Sequence, residues 1–410
     1  MTADDGGVPS VRIPAPLPDG VSRETIGVRG GLLRSGFDET AEALYLTSGY
    51  VYDSAAEAEK AFTGEIDRFV YSRYGNPTVA MFEERLRMIE GAEACFATSS
   101  GMSAVFTGLG ALLGAGDRLV AGRSLFGSCF VVCNEILPRW GVETVFVDGT
   151  DLDQWEQALS EPAAAVFFET PSNPMQSLVD IAAVSEMAHA AGAKVVLDNI
   201  FATPLLQQGL PLGVDVVIYS GTKHIDGQGR VLGGAILGDK EYINGPVQTL
   251  MRHTGPALSP FNAWVLLKGL ETLSIRVNYS NSSALRVAEF LEGHPSVRWV
   301  RYPFLASHPQ HDLAKRQMTG GGTVVTFELD APEGRGKERA FEVLDKLSVI
   351  DISNNLGDSK SLITHPATTT HRAMGPEGRA AIGLGDAVVR ISVGLEGTED
   401  LIADLDRALS

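Results

Sequence analysis

Residues 214–229 read Val214-Asp-Val-Val-Ile-Tyr-Ser-Gly-Thr-Lys-His-Ile-Asp-Gly-Gln-Gly229, and the fold is decided there. The apolar run 214–219 reads as a buried strand. It stops at Ser220-Gly221-Thr222-Lys223. Two hydroxyls, a flexible glycine and one lysine thus stand where a strand delivers its last residues into a cleft. A lysine can form a Schiff base with an aldehyde. Ser220, Thr222 and nearby backbone N–H groups suit a phosphate. Aldehyde and phosphate in one ligand point to pyridoxal 5'-phosphate (PLP). The bland reading is a surface lysine after a core strand. What separates the two is a partner for the ring nitrogen of such a cofactor.

Asp198 is a candidate for that partner. It lies at the end of a second short apolar strand, Lys194-Val-Val-Leu-Asp-Asn199. A strand-end carboxylate can keep a pyridinium nitrogen protonated, and it can equally be a helix cap or a turn residue. Further strands are expected at 95–99, 118–121, 144–147, 164–168 and 233–237. Helices are expected at 77–90, 101–113, 126–137, 151–159 and 181–191, with Asp151 and Gln154 at capping-box spacing. This alternation argues an α/β fold with a mainly parallel sheet covered on both faces. Ligands of such sheets lie beyond the carboxyl ends of the strands. Ser100, Asp198 and Lys223 all occupy such ends, which is a reason to put them in one pocket. Ser100-Gly101-Met102 opens a helix whose free N–H groups and dipole suit an anion, or it is an ordinary capped helix. Gly108-Leu-Gly110 is not a dinucleotide fingerprint, because the third glycine is missing and the run sits inside a helix.

Tyr71-Ser-Arg73 precedes Asn76-Pro77-Thr78. Asn-Pro signals a turn and a helix start, with Pro77 at the first helical position. A Tyr and an Arg on an ordered loop can grip phosphate oxygens, and the alternative is a plain surface loop. Arg390 lies within Val388-Val-Arg-Ile-Ser-Val-Gly-Leu-Glu396. A charge inside a β-branched run needs a partner. The partner is either a structural carboxylate or the α-carboxylate of a substrate.

The chain has 410 residues, enough for two or three domains. Its 33 Lys and Arg against 51 Asp and Glu give a net charge of −18, which disfavours nucleic acid and anionic membranes as partners. No apolar run reaches the roughly 18 residues of a membrane span. The acidic start, Met1-Thr-Ala-Asp-Asp5, lacks the order of a signal peptide. Cys95, Cys129 and Cys133 are an odd, sparse set that fits reduced cytosolic thiols. A cytoplasmic protein is therefore expected. His308 and His311 have no further ligand at metal spacing and read as a surface loop pair, so no metal is expected. His224 and His365 read as packing residues or supporting hydrogen-bond partners.

Asp215-x4-Ser220-Gly221-Thr222-Lys223 with Gly227-Gln228 resembles the lysine signature of the PLP-dependent enzymes of cysteine and methionine metabolism, the trans-sulfuration family. The resemblance runs from about Thr25 to the C-terminus. It also covers Ala43-Leu-Tyr-Leu-Thr-Ser48, Tyr71-Ser-Arg-Tyr-Gly-Asn-Pro-Thr78, Ser100-Gly-Met-Ser-Ala104, Asn354-Asn-Leu-Gly-Asp358 and Leu362-Ile-Thr-His-Pro-Ala-Thr-Thr-Thr-His371. It implies a PLP-dependent transferase of fold type I, with a mostly parallel seven-stranded sheet in a large domain and a smaller C-terminal α/β domain. Residues 1–62 are then an N-terminal arm and segment contacting a neighbouring subunit; Pro9, Pro14, Pro16 and Pro18 with several Gly make 1–24 read as mobile. A break in the helical pattern near Pro256 and Pro260 puts a boundary close to 258, so residues 63–258 form the PLP-binding domain and 259–410 the smaller one.

For the site, the resemblance implies that Lys223 carries the cofactor and acts as general base. Asp198 faces the ring nitrogen, and Ser100, Gly101, Met102, Ser220 and Thr222 surround the phosphate. Phe126 stacks on the ring where many relatives carry Tyr. Tyr71 and Arg73 reach the phosphate of the adjacent subunit, and with no hydroxyl on Phe126 either Lys223 or Tyr71 must cover the acid steps. Asn355 and Arg390 meet the substrate. The implied reaction is γ-replacement on O-succinylhomoserine by sulfide. Cysteine as nucleophile, an acetyl ester and methionine cleavage are the alternatives. Ser128, where methionine-cleaving relatives typically carry a reactive Cys, disfavours the last. The implied assembly is a homotetramer, a dimer of dimers with shared active sites.

Overall fold

The computed structural model describes residues 13–410. The arm expected over 1–24 lies outside the described residues up to residue 12. Its last two residues, Arg23 and Glu24, already belong to a helix, Arg23–Arg29, that Ser22 caps. The helix Pro77–Glu90 begins where Asn-Pro announces it. The Asn76 side-chain oxygen accepts from the Thr78 N–H at 2.9 Å, and Pro77 opens the first turn.

Seven short strands build the large sheet: β1 (Ala94–Thr98), β2 (Arg118–Gly122), β3 (Glu143–Val147), β4 (Ala165–Glu169), β5 (Lys194–Asp198), β6 (Val216–Ser220) and β7 (Gly234–Gly238). Their order is β1-β7-β6-β5-β4-β2-β3. Only β7 runs against its neighbours. Alternate residues of β6 serve opposite cores. Val217 and Tyr219 pack with Phe82, Leu86 and Leu266, whereas Val216 and Ile218 pack with Val105, Leu109 and Ile236. Both faces are covered, as the apolar strands require. β3 and β4 flank β2 on opposite sides, so the chain changes direction there and a crevice opens beyond the strand ends.

The second sheet holds β8 (Val297–Arg301), β9 (Val324–Leu329), β10 (Asp351–Ile352), β11 (Leu362–Thr364) and β12 (Val388–Ser392), ordered β10-β11-β12-β9-β8. All its pairings but β10 with β11 are antiparallel. The helix Pro260–Leu270 follows the boundary expected at 258, yet its Ala263, Leu266 and Leu267 pack in the large-sheet core. The next helix, Leu273–Glu292, begins in that core with Leu273 and Val277. It ends in the small-sheet core with Val287 and Leu291, so one rod joins the two bodies.

Three local expectations are corrected. The helix expected over 126–137 is α-helical only over Gly127–Val131 and continues in wider, then tighter turns to Trp140, because Pro138 lacks the N–H for a regular turn. Gln154 does not close a reciprocal cap on Asp151. Its amide donates to the Asp151 carboxylate at 2.8 Å and accepts from Asp148 N–H at 2.9 Å. His308 is buried, not on the surface: its Nε2 meets the Gln176 carbonyl at 3.1 Å and Nδ1 the Gln310 N–H at 3.1 Å.

Candidate active site

The carboxyl ends of β4, β5 and β6 converge on a cavity of about 220 Å³ between the two sheets. Lys223 reaches it four residues past Tyr219. Its ε-nitrogen donates to the Asn355 side-chain oxygen. Burial, aided by the nearby Arg390 cation, draws the amine down to about 8, so its neutral fraction near pH 7 is far larger than that of an ordinary lysine.

Asp198 ends β5 and is buried, accepting from the Ile200 N–H at 3.2 Å. Burial raises its carboxyl above the usual range. A cationic ring nitrogen at that place would reverse the effect and hold it ionised. Directly across the strand pair stands Glu169, also buried. Burial and the Asp198 charge push Glu169 upward, while N–H donors from Phe126 and Asn173 and the Arg390 cation oppose them.

Ser100 caps the helix Gly101–Gly110, its hydroxyl accepting from Ser103 N–H at 3.1 Å. The first N–H groups of this helix have no intrahelical acceptor and point a positive dipole end at the cavity. Helix and β6 approach so closely that a Cβ on Gly101 would lie 2.6 Å from Ser220 Cβ. The hydroxyl of Thr222 lines the same cavity and is tied to Gly233, accepting from its N–H at 3.2 Å. A lysine for an aldehyde, a helix N-terminus with Ser220 for a phosphate and a carboxylate for a ring nitrogen fit PLP. Phe126 and Met102 line the cavity beside them.

Arg390 on β12 is 1% exposed. Its Nη1 donates to the Asn173 side-chain oxygen at 3.0 Å, and Nη2 to the carbonyls of Asn354 and Asn355 at 3.0 and 3.1 Å. No carboxylate forms an ion pair with it among the described residues. Its Nε is buried without an acceptor. Burial lowers the guanidinium only to about 10, so it stays a cation with a donor to give. That is what a substrate carboxylate needs.

Tyr71 and Arg73 do not line this cavity. Tyr71 is 41% exposed, and Arg73 lies over the rings of Tyr71 and Tyr74 while donating to the Arg252 carbonyl. His224 and His365 are supporting residues, as expected. His224 Nε2 meets Thr323 Oγ1 at 2.8 Å, and burial brings its imidazole down to about 3, so it is neutral. His365 Nε2 donates to the Asp386 carbonyl at 2.8 Å. Three residues of the site carried no expectation: Glu169, Asn173 and Asn354. The hints were a carboxylate ending an all-apolar strand, an Asn between two nearby prolines and, for Asn354, its place in the family-like stretch 354–358. No cluster of metal-ligating side chains exists among the described residues. No helix there is long and apolar enough to cross a membrane.

The profile of the Cys/Met metabolism PLP-dependent enzymes matches residues 24–410. The chain belongs to that family. PLP is therefore the cofactor of this chain. The chain is 83% identical, over 98% of its length and 99% of the relative's, to an O-succinylhomoserine sulfhydrylase of Mycobacterium tuberculosis (strain CDC 1551 / Oshkosh). It is 47% identical, over 96% of both chains, to an O-succinylhomoserine sulfhydrylase of Pseudomonas aeruginosa. Among solved structures, one from Campylobacter jejuni that carries N'-pyridoxyl-lysine-5'-monophosphate superposes with a TM-score of 0.90 at 31% identity, covering 95% of this chain and 100% of the other. The family and the fold agree with what the lysine segment implies.

Proposed function

We propose that the chain is an O-succinylhomoserine sulfhydrylase: it replaces the γ-succinyl ester of O-succinylhomoserine with sulfide, giving homocysteine and succinate. The observation that carries this choice is the 83% identity over nearly the whole chain to an enzyme of that name.

Bound PLP supplies the electron sink that makes the substrate's Cα–H and Cβ–H acidic. The rest falls to the chain's own side chains. Arg390 grips the α-carboxylate through its free Nε–H and fixes which bond at Cα faces Lys223. The Lys223 amine, neutral in part because of burial, takes the Cα proton and returns protons as a general acid. The Asp198 carboxylate keeps a proton on the ring nitrogen. Phe126 offers a stacking face and no hydroxyl, so it takes no part in proton transfer. Asn355, through its contact with Lys223, keeps the amine beside the substrate. Ser220 and the helix N-terminus at Gly101 and Met102 anchor the phosphate.

The active unit is a homo-oligomer, a dimer of dimers, working in the cytoplasm. The partner subunit's Tyr71 and the partner subunit's Arg73 complete the phosphate site, and that Tyr71 is the second acid. Their placement supports this reading: on their own chain both sit outside the cavity. Domain limits at 1–62, 63–258 and 259–410 belong to the same proposal.

Steady-state turnover tests the function. O-succinylhomoserine with sulfide should yield homocysteine, with little methanethiol from methionine. A strict demand for cysteine, a clear preference for the acetyl ester, or efficient methionine cleavage would each reassign the chain to another activity of the family.

A further inference from the structure

Glu169 closes β4 opposite Asp198 and is 4% exposed. A buried carboxylate is costly unless its lone pairs are met. Here two backbone N–H groups from different segments meet them. Phe126 N–H donates to Oε2 at 2.8 Å, and Asn173 N–H to Oε1 at 3.1 Å. Each donor leads to a different functional side chain. Phe126 carries the aromatic wall of the cavity. Asn173 takes Nη1 of Arg390 on its side-chain oxygen.

The second arm extends further. The Asn173 carbonyl meets His371 Nε2 at 3.1 Å. A carbonyl only accepts, so that nitrogen holds the imidazole proton. Nδ1 then accepts from the Thr370 hydroxyl at 2.8 Å. Thr370 borders both the cavity and the wider cleft of about 980 Å³ outside it. The two arms start where β2 and β4 diverge at the direction change of the sheet. One carboxylate ties the segment after β2 to the segment after β4.

We propose that Glu169 is a positioning residue that holds the Phe126 wall and the Arg390 carboxylate clamp in register with one another. The inference rests on the reading of Phe126 as a cofactor contact and Arg390 as a substrate contact. Glu is suited to the task because it offers an acceptor on each side of its terminal carbon. Gln would turn one acceptor into a donor and set it against an N–H. Asp would lack the reach for both.

The test uses the PLP-loaded enzyme and its Glu169→Gln and Glu169→Asp variants. The visible circular dichroism of bound PLP reports how the ring is seated. Spectral titration with L-2-aminobutyrate, which has the substrate's carboxylate and carbon chain but no leaving group, reports the clamp. Both variants should show an altered dichroic band, and a dissociation constant and KM raised roughly tenfold, with kcat changed less. Asn173→Ala cuts only the Arg390 arm, since its backbone N–H stays. It should raise the same constants with the wild-type dichroic band retained. This variant keeps the inference testable even if changes at Glu169 prevent folding. Folded Glu169 variants with wild-type dichroism and affinity would overturn the role of Glu169, as would an Asn173→Ala enzyme whose band shifts. A wild-type protein with no visible band would overturn the underlying site reading as well, so the two failures are distinct.

Discussion

The ε-nitrogen of Lys223 donates a hydrogen bond to the side chain of Asn355. The same asparagine gives its backbone carbonyl to Arg390 at 3.1 Å. The amine proposed to handle protons and the cation proposed to grip the substrate are therefore held by one residue. Burial and the Arg390 charge both favour the neutral amine, and they bring it to about 8.

The first prediction follows from that value. Below about 8 the Lys223 amine of the cofactor-free protein is protonated and cannot attack an aldehyde; above it the amine is free. The rate at which the cofactor-free protein recovers its visible band on adding PLP should rise through pH 8 and then level off. Stopped-flow absorbance measures it. A rate still climbing at the pH of an ordinary lysine would contradict the assignment. Borohydride should trap the cofactor at Lys223, as read by mass spectrometry.

Asp198→Ala should keep the Lys223 linkage but lose about a hundredfold or more in turnover. Each factor of ten corresponds to about 1.4 kcal/mol of barrier. The carboxylate controls the ring nitrogen and does not make the covalent bond. Near-normal kcat in a variant that holds PLP would rule Asp198 out as the ring partner.

Gly101→Ala places a methyl 2.6 Å from Ser220 Cβ and 2.8 Å from its hydroxyl oxygen. The helix N-terminus must move away from β6, and the phosphate cradle widens. PLP affinity should fall roughly tenfold or more, about 1.4 kcal/mol per decade. Fluorescence titration of the cofactor-free variant measures this. Unchanged affinity would show that the cradle lies elsewhere.

Mixed dimers test the shared site. Arg73→Ala and Lys223→Ala chains should each be nearly inactive alone. In a mixed dimer one site carries both defects and the other neither, so part of the activity should return. Mixed dimers verified by mass that stay inactive would mean that Arg73 does not act across the interface.

Much of this was legible in the chain itself. Pro77 after Asn76 marks a helix start through backbone geometry alone, and that helix runs to Glu90 as expected. The strand ending at Ser220 is marked by a run of apolar residues that breaks off in hydroxyls. Asp198 and Lys223 could be paired because parallel strands place their carboxyl ends side by side. Glu169 ends its strand beside Asp198 in the same way, yet nothing local distinguishes its carboxylate from a turn residue. Its role is set by N–H donors 43 positions before it and 4 after it, which only tertiary structure brings together. His308 failed for a related reason: spacing excludes a metal site, but it does not tell whether the ring is wrapped by residues more than a hundred positions away, as it is by Gln176. The strands β10 and β11 span two and three residues, too few to show a period.

Arg390 keeps one buried donor without an acceptor. A hydrogen-bond donor left unmet inside a protein destabilises the fold by about 1–3 kcal/mol. An amino-acid carboxylate that meets it stabilises the native chain by mass action, about 2.7 kcal/mol at a hundred times its dissociation constant. The melting temperature should thus climb with added L-2-aminobutyrate, and the climb should vanish in Arg390→Met, as a thermal-shift titration would reveal. Occupancy of the clamp and stability of the fold would then be coupled through a single side chain, so that heat resistance reports on binding without any assay of turnover.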